Sequence, residues 1–473
     1  MTSGSFSAVD IDAKIPNNVD LAGDRRLRRA LESWQPKFLS WWRELGPVAF
    51  KDNPIFLRTA ISVGQDGWAN FDHVPMPEYR WGIFLAEQEQ DRRVAFGDHK
   101  GKAVWQEVPG EYRGELRRLL VVQGDTEPAS VEQQRALCLT APSLYDMRNL
   151  FQINVEEGRH LWAMVYLLHR YFGSDGRDEA DEMLERHSGN VDHPRILGAF
   201  NEPTPDWLSF YMFTYFTDRD GKFQLASLRE SAFDPLSRTC DFMLREEAHH
   251  MFVGASGIAR VVDRTVELTK THDTDDIRPW GGIDVATLQR YLNFHFSVSL
   301  DLFGAETSTN AANYFAAGLK GRFQEERRAD DHLLKDSMRS VPYFNAGIIG
   351  TREATQLSAL NETLRDDYVI DCQKGVDRWN RALADVGHKL ALPHVGFNRA
   401  VGTFRDAHVS PTGQVVSASE WQSSVSQWLP SASDRAYVES LMVGVHERGK
   451  MAGWVAPPTN GIHGRPVDFE YVR

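Results

Sequence analysis

The chain has 473 residues, with 53 Lys and Arg against 66 Asp and Glu, a formal net charge of −13, and 42% hydrophobic side chains. That balance excludes a broad basic footprint for nucleic acid but leaves room for a local cationic pocket. Its three cysteines, Cys138, Cys240 and Cys372, form no CxxC pair. A disulfide framework, a thiolate zinc site and a cysteine-held iron–sulfur cluster within the chain are therefore excluded, so a bound metal must take His, Asp and Glu. No secretory leader is recognisable, and no apolar run reaches the ~18–20 residues that span a bilayer. The expectation is a soluble cytoplasmic protein with no membrane and no nucleic-acid partner.

In chain order, residues 24–45 follow a helical pattern with an internal break at Pro36. Residues 50–110 read as irregular, with a short hairpin expected between Arg93 and Val108 around Gly97 and Gly101. After Gly114 the period changes. Residues 129–140, 145–172, 205–230 and 236–266 carry apolar side chains every three to four positions, punctuated by Pro142, Gly173, Pro203, Pro205 and Asp234-Pro235. Two more helical stretches, 284–335 and 352–389, are expected before a Pro- and Gly-rich C-terminal arm. The fold class is mainly α, a four-helix bundle over 115–335, with an N-terminal helical and irregular extension (1–114) and a C-terminal helix and extended arm (336–473).

The chemistry lies in a repeat. Residues 156–160 read EEGRH and residues 246–250 read EEAHH, 90 positions later. Three residues make about one helical turn, so Glu157 and His160 share a face, as do Glu247 and His250. Steps of three or four from Glu157 reach Leu150, Ile153, Leu161, Met164 and Leu168, so the acid and imidazole interrupt a buried stripe. A carboxylate there is costly unless paired or bound to metal. A two-metal bundle needs one more carboxylate from the helix preceding each motif. Reflection about Pro142 places Glu127 level with Glu157. Reflection about Asp234-Pro235 places Asp218 level with Glu247. Glu132 and Asp220 compete for these roles on register alone. With oxygen and nitrogen ligands and no thiolate, the set suits iron or manganese.

The segments TEPASVEQQRALCLTAPSLYDMRNLFQINVEEGRHLWAMVYLLH, TPDWLSFYMFTYFTDRDGKFQLASL and EEAHHMFVGASGIARV resemble the ferritin-like di-iron carboxylate oxygenases. Among those, the likeness is to the oxygenase components of benzoyl-CoA 2,3-epoxidases, and it extends through RWGIFLA, VWQEVPGEYR and the C-terminal arm. The resemblance implies two irons per chain, held by Glu127, Glu157 and His160 and by Asp218, Glu247 and His250, with one motif glutamate bridging. It also implies O2-dependent epoxidation of the ring of benzoyl-CoA. Gln123, four residues before Glu127, is a candidate to orient the thioester carbonyl. In related oxygenases an acid beside the ligand glutamate holds the far histidine, which pairs Glu246 with His160 and Glu156 with His250. No GxGxxG turn and no cysteine cluster carry electrons here, so a separate reductase, NADPH-dependent in this family, is the implied partner. Coenzyme A phosphates call for cations, and Arg25, Arg26, Arg28 and Arg29 or Lys320, Arg322, Arg327 and Arg328 are the two clusters. Tyr211, Phe210 and Met164 read as core rather than pocket wall, as do Tyr145 and Tyr215, which a radical-generating subunit would need. Another di-iron hydroxylase, a radical subunit and an iron-storage bundle are the competing classes.

Overall fold

The computed structural model describes residues 14–48, 81–447, 449–459 and 470–472. Helices dominate. The bundle is made of α2 (Arg113–Gly124) continued by α3 (Thr126–Gln134), α4 (Leu144–Glu185), α5 (Trp207–Arg229) and α6 (Asp234–His272), with α1 (Arg25–Leu45) packed outside α4. Side-chain caps start three of these six: Asp24 accepts from Leu27 N, Ser143 from Asp146 N and Asp206 from Ser209 N. Asp234-Pro235 opens α6, where a missing amide proton costs nothing.

Two of the helices are buried on every side over long stretches, α5 with a mostly apolar surface and α4 with many polar side chains among the apolar ones. In α5, all residues from Trp207 to Asp218 are buried, and in α4 all from Asp146 to Leu168 are. Their jacket comprises α1, the Trp81–Ala86 segment, α7 (Val285–Leu300), α9 (Leu360–Leu383) and the C-terminal arm. The arm crosses α6, where Arg260 and Arg264 donate to the carbonyls of Ala456 and Gly453, both at 2.7 Å. Residues 460–469 lie outside the described residues, as do 49–80 from the stretch expected to be irregular.

α5 and α6 touch through glycine. A β-carbon on Gly254 would stand 2.4 Å from Tyr215 N, and one on Gly257 2.2 Å from the Tyr211 ring. Gly254→Ala is therefore expected to destabilise the protein by about 1–3 kcal/mol, because the obstructing atoms are backbone. Gly114→Ala, with nothing within 4 Å, is expected to stabilise it slightly through helix propensity. Thermal midpoints of the two variants moving in the same direction would contradict this packing.

Several sequence expectations need correction. Pro36 does not break α1, which runs unbroken from Arg25 to Leu45. The stretch 284–335 is not continuous: α7 ends at Leu300, Gly304 and Gly318 adopt φ of +80° and +75°, and only α8 (Thr309–Ala316) lies between them. Residues 352–355 belong to a strand. β1 (Met338–Asn345) and β2 (Ile348–Thr355) pair antiparallel around Ala346 and Gly347, both at positive φ. The 93–108 hairpin shrinks to a bridge between Arg93 and Ala103, with Gly101 at φ +83°. Short helices α10 (Ala418–Trp428) and α11 (Ala432–Ser440) interrupt the arm, and β3 (Lys450–Ala452) meets β4 (Glu470–Val472) near its end. Among the described residues, no helix is long and apolar enough to cross a membrane.

Candidate metal centre

Midway along the bundle, the two repeated motifs face each other. The rings of His160 on α4 and His250 on α6 lie 6.0 Å apart, each turning Nδ1 toward the gap. Glu157 spans the gap, with Oε2 3.5 Å from His160 Nδ1 and Oε1 3.7 Å from His250 Nδ1. Glu247 spans it as well, at 3.7 Å and 3.4 Å from the same two atoms. Glu127, in the first turn of α3, lies 3.2 Å from His160 Nδ1. Asp218 of α5 lies 3.9 Å from His250 Nδ1. All six residues predicted from the sequence thus converge, each no more than 7% exposed.

Ligand-type atoms of Glu127, Glu157 and His160 lie within 4.8 Å of one another, and so do those of Glu157, Glu247 and His250. Three inward-facing atoms, His250 Nδ1, Asp218 Oδ2 and Glu247 Oε2, are buried without a hydrogen-bond partner. Buried polar atoms normally have one, so their convergence fits a cation coordinated among them. The donor set of four carboxylates and two imidazoles suits a pair of divalent first-row metals.

Protonation follows from burial and crowding. Burial, reinforced by the neighbouring Glu127 and Glu247 charges, pushes Glu157 well above the usual carboxylate range; burial and Glu247 do the same to Asp218. Burial works against the imidazolium of both histidines, yet their carboxylate partners raise both well above the ordinary value. Burial also opposes the Glu127 carboxylate, but His160 holds it below its ordinary range. Without metal the cluster thus retains protons to offset its negative charge, and a divalent ion would displace them.

Behind the histidines the motif acids cross over as expected. Glu246 Oε2 lies 3.2 Å from His160 Nε2, and Glu156 Oε2 lies 3.1 Å from His250 Nε2. The Glu156 hydrogen bond holds the His250 ring with Nδ1 inward, and Glu246 faces the His160 ring at ion-pair distance. Arg159 reaches both acids, at 2.5 Å from Glu246 and 3.6 Å from Glu156, and Gln152 donates to Glu156 at 2.8 Å.

The competing acids are engaged elsewhere. Glu132 accepts from Trp41, His187 and Arg195. Asp220 accepts from Gln224 at 3.1 Å, and burial raises its carboxyl to about 7. Gln123 donates to Glu127 Oε1 at 3.1 Å. Arg322 is paired with Glu325 and Asp330, and Arg328 with Asp367, so those two cations are already neutralised by acids of the chain. The same pairing accounts for a third acid–histidine group, Glu325, Asp330 and His332, which surrounds the Arg322 guanidinium.

A cavity of about 240 Å³ opens onto Glu127, Glu157, Asp218 and Glu247. Its apolar wall includes Leu119, Val122, Leu197, Phe200, Leu228 and Leu302, and its polar wall includes Gln123, Gln224, Tyr314 and Lys320. Phe210, Tyr211 and Met164 are fully buried core. The sequence reading missed Phe200 and Gln224, which come from a short turn and a polar helix end, and took Lys320 only as part of a phosphate-facing cation cluster. Burial lowers the Lys320 ammonium to about 8, which leaves it largely charged at neutral pH.

Residues 104–273, which carry both motifs, match the family model described as phenylacetic acid catabolic protein. Over 470 residues, 98% of this chain and 99% of the relative, the sequence is 61% identical to the benzoyl-CoA oxygenase component B of Aromatoleum evansii. The chain belongs to the benzoyl-CoA oxygenase component B family. Membership makes it an oxygenase, and among the described residues the fully buried acid–histidine cluster is a group able to hold metal.

Proposed function

We propose that the chain is the oxygenase component that epoxidises the ring of benzoyl-CoA at the 2,3-position. O2 and two electrons from a separate NADPH-dependent reductase enter, and one oxygen atom leaves as water. The reading rests on one conjunction: near-full-length identity to a benzoyl-CoA oxygenase component, with six ligand-type side chains meeting at the end of a ring-sized cavity. Glu127, Glu157 and His160 would hold one iron, and Asp218, Glu247 and His250 the other. The iron pair, when bound, supplies the reductive activation of O2. Glu157 and Glu247 each direct one oxygen toward either histidine, which suits both to a bridging role.

The chain's own residues do the rest. Glu246 and Glu156 back the imidazoles, while Gln123 and Thr126 hydrogen-bond Glu127 at the floor of the cavity. The Gln123 amide nitrogen donates to Glu127 and Thr126, so its part is to hold that carboxylate. Leu197, Phe200 and Leu302 form an apolar wall that excludes water from the reacting ring.

The decisive experiment is anaerobic reduction of the iron-loaded protein followed by O2, with and without benzoyl-CoA. Oxygen uptake stimulated by benzoyl-CoA, with ring-oxygenated product, is expected. Uptake indifferent to the thioester, or no oxygenated product, would sink the assignment.

A further inference from the structure

We infer that Lys320 is a positioning residue that reads the acyl carbonyl of the substrate and so sets which ring carbons face the metal centre. The inference rests on the benzoyl thioester reading above and adds a recognition element to it.

Three observations carry it. First, the cavity extends along α5. Asp218 lies at its floor and Gln224 six residues on, which is about 9 Å higher at the helical rise. A ring carbon at reacting distance of the centre, about 3–3.5 Å from the attacking atom, puts a carbonyl on the adjacent carbon a few ångströms further along the same axis. That is the level of Gln224. Second, Lys320 is fixed there. Its Nζ donates to Gln224 Oε1 at 2.5 Å, and Gln224 Nε2 is in turn anchored on Asp220. The flanking backbone is pinned to α8 by Leu319 N→Tyr314 O (2.8 Å) and to α5 by Gly321 N→Ser227 O (2.9 Å). Third, Lys320 stands where the space divides. A second cavity of about 170 Å³ adjoins the first, and Asn310, Tyr314 and Lys320 line both. A benzoyl head in the inner space and the thiol arm in the outer one bring the thioester past the ammonium. That ammonium has protons beyond the one given to Gln224. Among the cavity's cations it sits deepest, whereas Arg118 lies nine residues from Glu127, toward the other end of α2.

The test separates carbonyl recognition from packing. Benzoyl-CoA and S-benzyl-CoA, the thioether with CH2 in place of C=O, are titrated calorimetrically into the resting, iron-loaded full chain. Wild type is expected to bind benzoyl-CoA more tightly. Lys320→Met is expected to lose about tenfold for benzoyl-CoA, the worth of a hydrogen bond to a charged group, and nothing for the thioether. Lys320→Arg is expected to keep the preference. Gln224→Leu, which frees the ammonium from its anchor, gives a second variant should Lys320→Met not fold, and is expected to lose part of the preference. Equal losses for both compounds, or an undiminished preference in whichever variant folds, would overturn the assignment. A wild-type protein that binds neither compound would instead count against the substrate reading itself.

Discussion

Glu157→Ala is expected to abolish turnover and reduce iron from about two per chain to one or fewer, while leaving the metal-free fold at least as stable as wild type. Glu157 lies between both histidines, so its removal takes an oxygen from each half of the centre. The stability half follows from its environment. Burial and the adjacent carboxylates raise the Glu157 carboxyl well above its ordinary range. A carboxyl raised in the folded state contributes stability that is present at low pH and lost as pH rises through the raised value. Asp218 and both histidines are raised too and act in the same direction. The metal-free protein should therefore weaken as pH rises through the neutral range, and Glu157→Ala should flatten that slope. Iron analysis and thermal midpoints of metal-free samples across pH check both parts. A variant that keeps two irons, or that melts well below metal-free wild type at pH 8, would contradict the arrangement.

Arg159→Met carries the opposite signature, a large cost in stability. Its guanidinium lies between Glu246 and Glu156, all three essentially without solvent contact. Burial opposes the Glu246 carboxylate, yet Arg159 and His160 keep it below its ordinary range, while burial and the Glu246 charge raise Glu156. Removing the cation leaves two buried carboxylates facing each other, a loss of about 3–5 kcal/mol. Glu246→Gln in the same chain should restore part of it, because one of the stranded charges is gone. Denaturant titration of the single and double variants reads this directly. A single variant as stable as wild type would mean that the two acids share a proton instead of relying on Arg159.

Much of the centre was legible because its chemistry violates helical patterning. An acid and a histidine in the buried stripe of α4, repeated 90 residues later in α6, have few stable explanations besides metal. The crossed acids were legible for the same reason, since Glu156 and Glu246 repeat with their neighbours. Register alone left Glu127 against Glu132 open. The structure shows why: both acids lie in α3, and the connection to α4 is spread over 135–143 with a 3-10 turn at Leu137–Thr140, so Pro142 does not mark one sharp reflection point. The region after Leu300 was illegible for a related reason. Apolar residues there recur at three to four positions, but Gly304 and Gly318 take left-handed conformations that end each helix early. The cavity was the least readable part. Gln224 and Lys320 are ordinary polar residues in sequence, and only the loop that returns Lys320 to α5 gives them a common task.

The crossed histidine contacts make the two halves of the repeat hostage to each other. His160 is backed by an acid 86 residues downstream, and His250 by one 94 residues upstream. Each half supplies the acids at its imidazole's Nδ1, but neither supplies the acid at Nε2. A chain cut between α5 and α6 would leave two fragments, each with a histidine that lacks the acid behind its Nε2. Reassembly of the fragments would therefore register not as a gain of helix but as the simultaneous return of both contacts.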